Sequence, residues 1–145
     1  MIYFSSRRDV QVPYMQRVPQ SRVEKLQTFD IIVVDDEAAI ARVIADLLVE
    51  EGYHVGVFHD GASALLAILE HQPRLVLLDN AMPVMTGGEL LTELRRRGFS
   101  QLPIILMSAA TRLNDFLDQG ATGVLPKPFE LDDILLCVDT YVQDE

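Results

Sequence analysis

Five polar side chains in this sequence have types and positions that could carry out phosphate chemistry. Asp35, Asp36 and Asp79 come directly after short apolar runs, Ser108 ends another such run, and Lys127 follows a fifth. Each has an ordinary explanation by itself, as a helix cap, a turn acid, a turn serine or a surface lysine. Lys127 is harder to dismiss, because it is the only lysine between residues 30 and 145 and stands between two prolines. Their occurrence together is what indicates a site.

The chemistry that these groups could perform is the acceptance of a phosphoryl group. Crowded carboxylates raise one another's pKa unless a cation joins them, and an all-oxygen site suits a hard divalent ion such as Mg²⁺. An aspartate can then act as the nucleophile and form an acyl phosphate, while the metal and Lys127 neutralise charge on the transferred group. The chain contains neither GxxxxGK[ST] nor GxGxxG, so the pattern does not indicate a nucleotide as the phosphate donor.

The elements that must position these residues alternate along the chain. Short apolar runs are typical of strands buried on both faces, and apolar residues at i, i+3, i+4 and i+7 are typical of amphipathic helices. The predicted strands are Phe29–Val34, Tyr53–Phe58, Arg74–Leu78, Leu102–Met107 and Gly123–Leu125, and the predicted helices are Ala38–Glu51, Gly61–Glu70, Glu89–Arg97, Ala109–Gln119 and Leu131–Val142. Strict alternation predicts an α/β fold with a parallel sheet covered by helices on both faces. All five polar residues then lie at its C-terminal edge.

Charge divides the chain near residue 29. Residues 1–29 carry five basic and two acidic side chains, a net +3, whereas the remainder carries seven basic and twenty acidic ones, a net −13. The folded part is therefore not expected to bind nucleic acid. Residues 1–28 show no sustained periodicity, so we predict a basic, irregular or mobile arm, with one helical turn at Ser21–Gln27 left open, before a single domain at 29–145.

The compartment is predicted from what the sequence lacks. Cys137 is the only cysteine, which fits a reducing environment. No apolar run is long enough to span a bilayer, and no apolar segment follows Arg7 and Arg8 as an export signal would require. We therefore expect a cytoplasmic protein without membrane contact.

From about Phe29 to Val142 the sequence resembles the receiver domain of two-component response regulators, a CheY-like family. The resemblance rests on IIVVDDE, LLDNAMPVMTGGE, the serine in IILMSA, and PKPF, in the family's order and roughly its spacing. It implies a three-layer flavodoxin-like (βα)5 fold with a five-stranded parallel sheet of order 2-1-3-4-5.

The resemblance also implies roles for individual residues. Asp79 resembles the phosphoacceptor, and Asp36 the direct Mg²⁺ ligand, with Asp35 acting largely through water and the main-chain carbonyl of Ala81 as the third protein ligand. Ser108 resembles the switch hydroxyl. Lys127 resembles the ion-pair partner of the phosphoryl group, and the bond that joins it to Pro128 resembles one that is cis in the family.

Three positions depart from the family's pattern. Where the GAxxYLxKPF pattern has an aromatic that moves inward with the hydroxyl, this sequence has Val124, so we expect activation to travel through Ser108 and the loop and helix that follow it. Ala81 and Ala110 occupy the positions that flank the acyl phosphate. Neither side chain can orient an attacking water and neither blocks one, so the lifetime of the phosphoryl group is left open.

We therefore predict a stand-alone receiver that takes phosphate from a histidine kinase or phosphotransfer protein. Because no effector domain follows Glu145, output is expected through contact of a downstream protein with the face formed by the fourth helix, fifth strand and fifth helix, and a homodimer stays open. The only expected catalysis is the domain's own phosphorylation and dephosphorylation. Two alternatives remain: the receiver part of a truncated DNA-binding transcription regulator, and a receiver-like binding module that is not phosphorylated.

Overall fold

Residues 28–109 and 111–142 are described by a computed structural model of the protein. Within them, five strands alternate with five helices. The strands are β1 (Ile31–Val34), β2 (Val55–Phe58), β3 (Leu75–Asp79), β4 (Ile104–Ser108) and β5 (Gly123–Pro126), and the helices are α1 (Ala38–Glu50), α2 (Gly61–His71), α3 (Gly87–Arg96), α4 (Asn114–Asp118) and α5 (Leu131–Tyr141). All strand pairs are parallel and the order is β2-β1-β3-β4-β5, which confirms the predicted fold class and strand order.

The sheet separates two hydrophobic cores. Alternate side chains of β1 enter opposite cores: Ile32 and Val34 pack with α2, α3 and α4, whereas Ile31 and Val33 pack with α1 and α5. The strands β1, β3 and β4 are buried along their full length, as expected for the centre of a sheet covered on both faces. Burial of each aliphatic side chain stabilises the fold by roughly 1.5–3 kcal/mol. The polar residues at the ends of these strands are therefore attached to a firmly packed sheet.

Side-chain caps decide where two helices begin. Asp60 accepts a hydrogen bond from the Ser63 N–H at 2.8 Å and caps α2, as its position in the sequence predicts. The helix α3 begins at Gly87, two residues before the predicted start. The reason is a capping box, in which the Thr86 hydroxyl accepts from the Glu89 N–H and the Glu89 carboxylate accepts from the Thr86 N–H.

The fourth helix is much shorter than predicted. The predicted span was Ala109–Gln119, but α4 covers only Asn114–Asp118, and Ala110 lies outside the described residues. Leu113 precedes the helix with no side-chain cap, and only Phe116 is buried among the described residues of the predicted span. The first predicted turns therefore have neither a cap nor an apolar anchor, and helices this short depend on packing.

The predicted N-terminal arm lies almost entirely outside the described residues, which begin at Thr28. The domain boundary near residue 28 and the open helical turn at Ser21–Gln27 thus stay predictions. In the part of the chain that the structure describes, no helix is long and apolar enough to cross a membrane.

Candidate functional site

The five predicted residues meet at the C-terminal edge of the sheet. Asp79 and Ser108 are the last residues of β3 and β4, Asp35 and Asp36 follow β1 directly, and Lys127 follows β5. Because β1, β3, β4 and β5 are adjacent and parallel, their C-terminal ends bring these side chains to one place. The sheet order, which sequence spacing alone does not give, is what assembles the group.

Three aspartates converge closely enough to share a cation. One carboxylate oxygen from each of Asp35, Asp36 and Asp79 lies within 4.8 Å of the others. Asp35 is fully buried and Asp79 is 2% exposed, whereas Asp36 faces solvent. An all-oxygen set with a solvent-facing side fits Mg²⁺, which keeps several waters and takes one or two protein carboxylates.

Asp35 is held in an environment that disfavours its charge. Its Oδ1 accepts a hydrogen bond from the Glu37 N–H at 2.9 Å, but its Oδ2 is buried without a hydrogen-bond partner among residues 28–109 and 111–142. Burial raises the pKa of Asp35 from 3.8 to about 6, the Glu37 N–H partly offsets this, and the nearby charge of Asp79 adds to it. An unpaired buried oxygen beside a second carboxylate is an observation that itself fits a cation ligand.

Lys127 supplies the positive charge on the other side of Asp79. Its ammonium forms an ion pair with Asp79 Oδ1. Burial lowers the pKa of Lys127, but the hydrogen bond and charge of Asp79 outweigh it, so the pKa is raised and the side chain stays charged. The Lys127 N–H also donates to the Ser108 carbonyl at 2.9 Å. The bond from Lys127 to Pro128 is cis, as the family resemblance predicted.

The loop between β3 and α3 passes close over the backbone of Asp79. A Cβ on Gly87 would lie 2.5 Å from the Asp79 carbonyl oxygen, so only glycine fits. Asn80 fixes the loop, because its carbonyl accepts from the Gly87 N–H and its side-chain oxygen accepts from the Gly88 N–H, each at 3.0 Å. Asn80 was not among the predicted site residues, because its only signal in the sequence is its position directly after Asp79.

We expect Gly87→Ala to destabilise the protein by about 2 kcal/mol or more, because the added methyl group must displace the Asp79 backbone. Gly88→Ala is the matched control. There the nearest atom is the end of the flexible Gln119 side chain at 3.1 Å, and alanine is a better helix former than glycine by about 1 kcal/mol. Urea unfolding of both variants checks this, and equal destabilisation would show that backbone contact at Asp79 does not matter.

The remaining predicted positions lie around this centre. Ala81 is exposed in the loop two residues after Asp79, and Ser108 is 4% exposed. Val124, on β5 beside Leu106, packs against the core beneath α2, α3 and α4. A contact that the sequence did not indicate is that of His59, whose Nδ1 lies 2.9 Å from the Asp35 main-chain oxygen.

Comparison with known proteins identifies the family. A family model for the response regulator receiver domain matches residues 31–139. This chain belongs to the receiver domain family. Receiver domains are parts of two-component response regulators, so the class of protein predicted from the motifs is confirmed, and the observed sheet is the one that this family shares.

Relatives and solved structures agree with the family. The uncharacterized transcriptional regulatory protein YkoG of Bacillus subtilis is 42% identical over 108 residues, and KdpE of Mycobacterium tuberculosis is 40% identical; each match covers 72% of this chain and 47% of the relative. The receiver domain of NtrX from Brucella abortus superposes with a TM-score of 0.73 at 31% identity, covering 80% of this chain and 100% of that one. Chemotaxis protein CheY4 of Vibrio cholerae superposes with a TM-score of 0.72 at 28% identity, and the match again covers 80% of this chain and 100% of that one. The chain thus spans about half the length of the curated relatives it matches.

Proposed function

We propose that this receiver domain is a phosphorylation-activated switch of a two-component phosphorelay, with Asp79 as the acceptor. The observation that carries the proposal is the setting of Asp79. Its carboxylate is 2% exposed, is paired with Lys127 and lies beside two further aspartates at the edge of the sheet. A carboxylate that lies between an ammonium and a cation-binding pair is suited to attack phosphorus.

The proposed reaction transfers phosphate from a phosphohistidine of a histidine kinase or phosphotransfer protein. An oxygen of Asp79 forms a bond to phosphorus as the bond from phosphorus to the imidazole nitrogen breaks, and the imidazole leaves with that electron pair. Lys127 holds Asp79 in position and offsets charge on the phosphoryl oxygens, and the Ser108 hydroxyl donates a hydrogen bond to one of them. When bound, Mg²⁺ neutralises further charge on the transferred group. Asp36, Asp79 and the Ala81 carbonyl are its proposed direct ligands, and Asp35 is proposed to act on it largely through water.

The proposed output begins at Ser108. An acyl phosphate at Asp79 carries about two negative charges in place of the single charge of the carboxylate. Movement of the Ser108 hydroxyl toward the phosphoryl oxygens changes the segment between β4 and α4. The helix that follows this segment anchors it weakly, because α4 spans only Asn114–Asp118 and Phe116 is its one buried residue. The face formed by α4, β5 and α5 would then bind a downstream protein differently in the two states. The cytoplasm, where phosphorelay donors meet their receivers, is the proposed location.

The test is chemical labelling of the full chain with acetyl phosphate in the presence of MgCl₂. We expect one phosphoryl group for each chain by intact-mass measurement, and none when EDTA is added. Beryllofluoride with Mg²⁺ should bind at the same place and change the backbone amide spectrum around Ser108. A chain that takes up neither group would be a receiver-like binding module, and the proposal would be wrong.

A second candidate function is the receiver part of a DNA-binding transcription regulator. The names of the relatives favour it, because YkoG and KdpE are transcriptional regulatory proteins. The match covers 47% of the length of each. The basic residues 1–27 are the part of this chain that could contact phosphates. A gel shift of the full chain on random-sequence duplex DNA, before and after phosphorylation, tests whether residues 1–27 bind DNA, and the absence of any salt-sensitive shift rules out that role for them.

A further inference from the structure

His59 contacts the aspartate cluster through the main chain. Its Nδ1 lies 2.9 Å from the carbonyl oxygen of Asp35. A carbonyl oxygen can only accept a hydrogen bond, so Nδ1 carries a proton and is the donor. Within residues 28–109 and 111–142, the side chains that converge within 4.8 Å are those of Asp35, Asp36 and Asp79, and His59 is not one of them. Any effect of His59 on a bound cation therefore passes through the backbone of Asp35.

The imidazole of His59 donates where the ladder between β1 and β2 would have its next hydrogen bond. The Asp35 N–H donates to the Phe58 carbonyl at 3.0 Å, just beyond the paired residues Val34 and Phe58. In a parallel ladder, the following bond would join the Asp35 carbonyl to the N–H two residues after Phe58. The strand β2 ends at Phe58, and the residue at that position, Asp60, is the N-cap of α2. The His59 side chain donates to the Asp35 carbonyl instead.

The residues on both sides of His59 are held by hydrogen bonds. Phe58, before it, ends the strand β2 and accepts from the Asp35 N–H. Asp60, after it, accepts from the Ser63 N–H at 2.8 Å and from the Ser63 hydroxyl at 2.9 Å. These bonds restrain the backbone at His59 and limit the positions that its ring can take. The bond from its Nδ1 to the Asp35 carbonyl therefore costs little additional conformational entropy.

The Asp35 carbonyl belongs to the peptide group that leads into Asp36. A peptide group is planar, so a hydrogen bond to this carbonyl restrains the direction in which the chain enters Asp36. Asp36 is exposed and lies just beyond β1, so packing does little to orient it. Asp35, by contrast, is fully buried, and its Oδ1 accepts from the Glu37 N–H at 2.9 Å. The bond from His59 thus restrains the aspartate that packing holds least.

We propose that His59 is a positioning residue for the cation site. Its bond to the Asp35 carbonyl holds the peptide between Asp35 and Asp36, so that the Asp36 carboxylate is preorganised beside Asp79 for Mg²⁺. The inference rests on the proposed function, because it takes Asp36 as a direct ligand of the cation. The neutral Nδ1–H ring and the imidazolium both donate from Nδ1, so the contact does not require a particular charge on His59.

The first test compares the Mg²⁺ affinity of the full chain with that of two variants at His59, measured from backbone amide shifts during titration with MgCl₂. His59→Asn keeps a donor close to the position of the histidine Nδ1, and its affinity should stay within about two-fold of the parent chain. His59→Leu removes the donor and should bind about three- to ten-fold more weakly, as expected for the loss of one hydrogen bond. Because the amide peaks belong to the folded protein, a small loss of stability does not imitate this result.

The matched control for these variants is His54→Leu. His54 directly precedes β2, at the opposite end of that strand from His59, and its side chain is 55% exposed. The control should bind Mg²⁺ with the affinity of the parent chain. Weakened binding in His59→Leu alone, with His59→Asn and His54→Leu unchanged, supports the positioning role.

A second measurement needs no metal. In EDTA, long-range ¹H–¹⁵N spectra of the neutral His59 ring should show the proton on Nδ1, because only that tautomer can donate to the Asp35 carbonyl. The amide peak of Asp36 should also move in His59→Leu and stay close to its parent position in His59→Asn.

The other outcomes overturn the proposal. Equal affinity of His59→Leu and the parent chain, or equal weakening in His59→Leu and His59→Asn, would mean that the bond to Asp35 does not position the site, while the proposed function would stand. A neutral ring with its proton on Nε2 would mean the same. A parent chain that binds no Mg²⁺ would overturn both the positioning role and the cation site of the proposed function, so the two failures are distinguished.

Discussion

Replacing Asp79 with asparagine is expected to abolish phosphoryl labelling by acetyl phosphate and Mg²⁺ completely. Asparagine has nearly the same shape, but its amide is a poor nucleophile and forms no acyl phosphate. Asp79 is the one buried carboxylate that pairs with Lys127 among residues 28–109 and 111–142. Intact-mass measurement after a fixed incubation checks the result, with peptide mapping of the parent chain to locate the modified residue.

The matched control for this variant is Asp115→Asn. Asp115 is an exposed acid on α4 that pairs only at the surface, with Arg112 at 3.4 Å, and pairs of this kind contribute little. Labelling of the control should equal that of the parent chain. Undiminished labelling of Asp79→Asn would show that another carboxylate receives the phosphate, and the assignment of the acceptor would be wrong.

The fold could be predicted because burial imposes a simple pattern on this sequence. The central strands are apolar at every position, so β1, β3 and β4 were located from composition, and the helices that cover them carry an apolar stripe. The prediction was wrong for α4, where the expected span holds one buried anchor, Phe116, and no cap. Local sequence specifies a helix poorly when neither end nor face is fixed by packing.

The set of residues that form the site could be predicted, but which of its aspartates are buried and which are exposed could not. Parallel strands bring their ends together, so Asp35, Asp36, Asp79, Ser108 and Lys127 were expected at one edge. Which of two adjacent aspartates is buried depends on strand pairing, since the Asp35 N–H continues the ladder by donating to the Phe58 carbonyl at 3.0 Å. The positive φ of Val84, in the loop that follows β3, could not be predicted, because its residue type disfavours it.

Replacing Asp35 with asparagine is expected to stabilise the metal-free protein and to weaken its response to Mg²⁺. With EDTA at pH 8, the free energy of unfolding should rise by about 2 kcal/mol. The reason is that a pKa raised to about 6 means that ionised Asp35 destabilises the folded state. The asparagine oxygen can still accept from the Glu37 N–H. Added Mg²⁺ stabilises the parent chain by binding the folded state, and this gain should shrink in the variant. Asp36→Asn, at an exposed position, is the control. It should lose the stabilisation by Mg²⁺, but its free energy of unfolding in EDTA should not rise.

The pH dependence of the same variant provides the stricter test, because it fixes the sign of the effect. The pKa of Asp35 is about 6 in the folded protein, compared with the ordinary value of 3.8 that applies to the unfolded chain. The ionised carboxylate therefore lowers the stability of the folded state, and protonation removes that penalty. In EDTA the advantage of Asp35→Asn should be full above about pH 6, decline as the pH falls, and vanish below about pH 4. Urea unfolding at a series of pH values measures it. An advantage that persists unchanged to pH 4 would mean that side-chain packing, not the buried charge, separates the two proteins, and the cation-binding role of Asp35 would lose its physical basis.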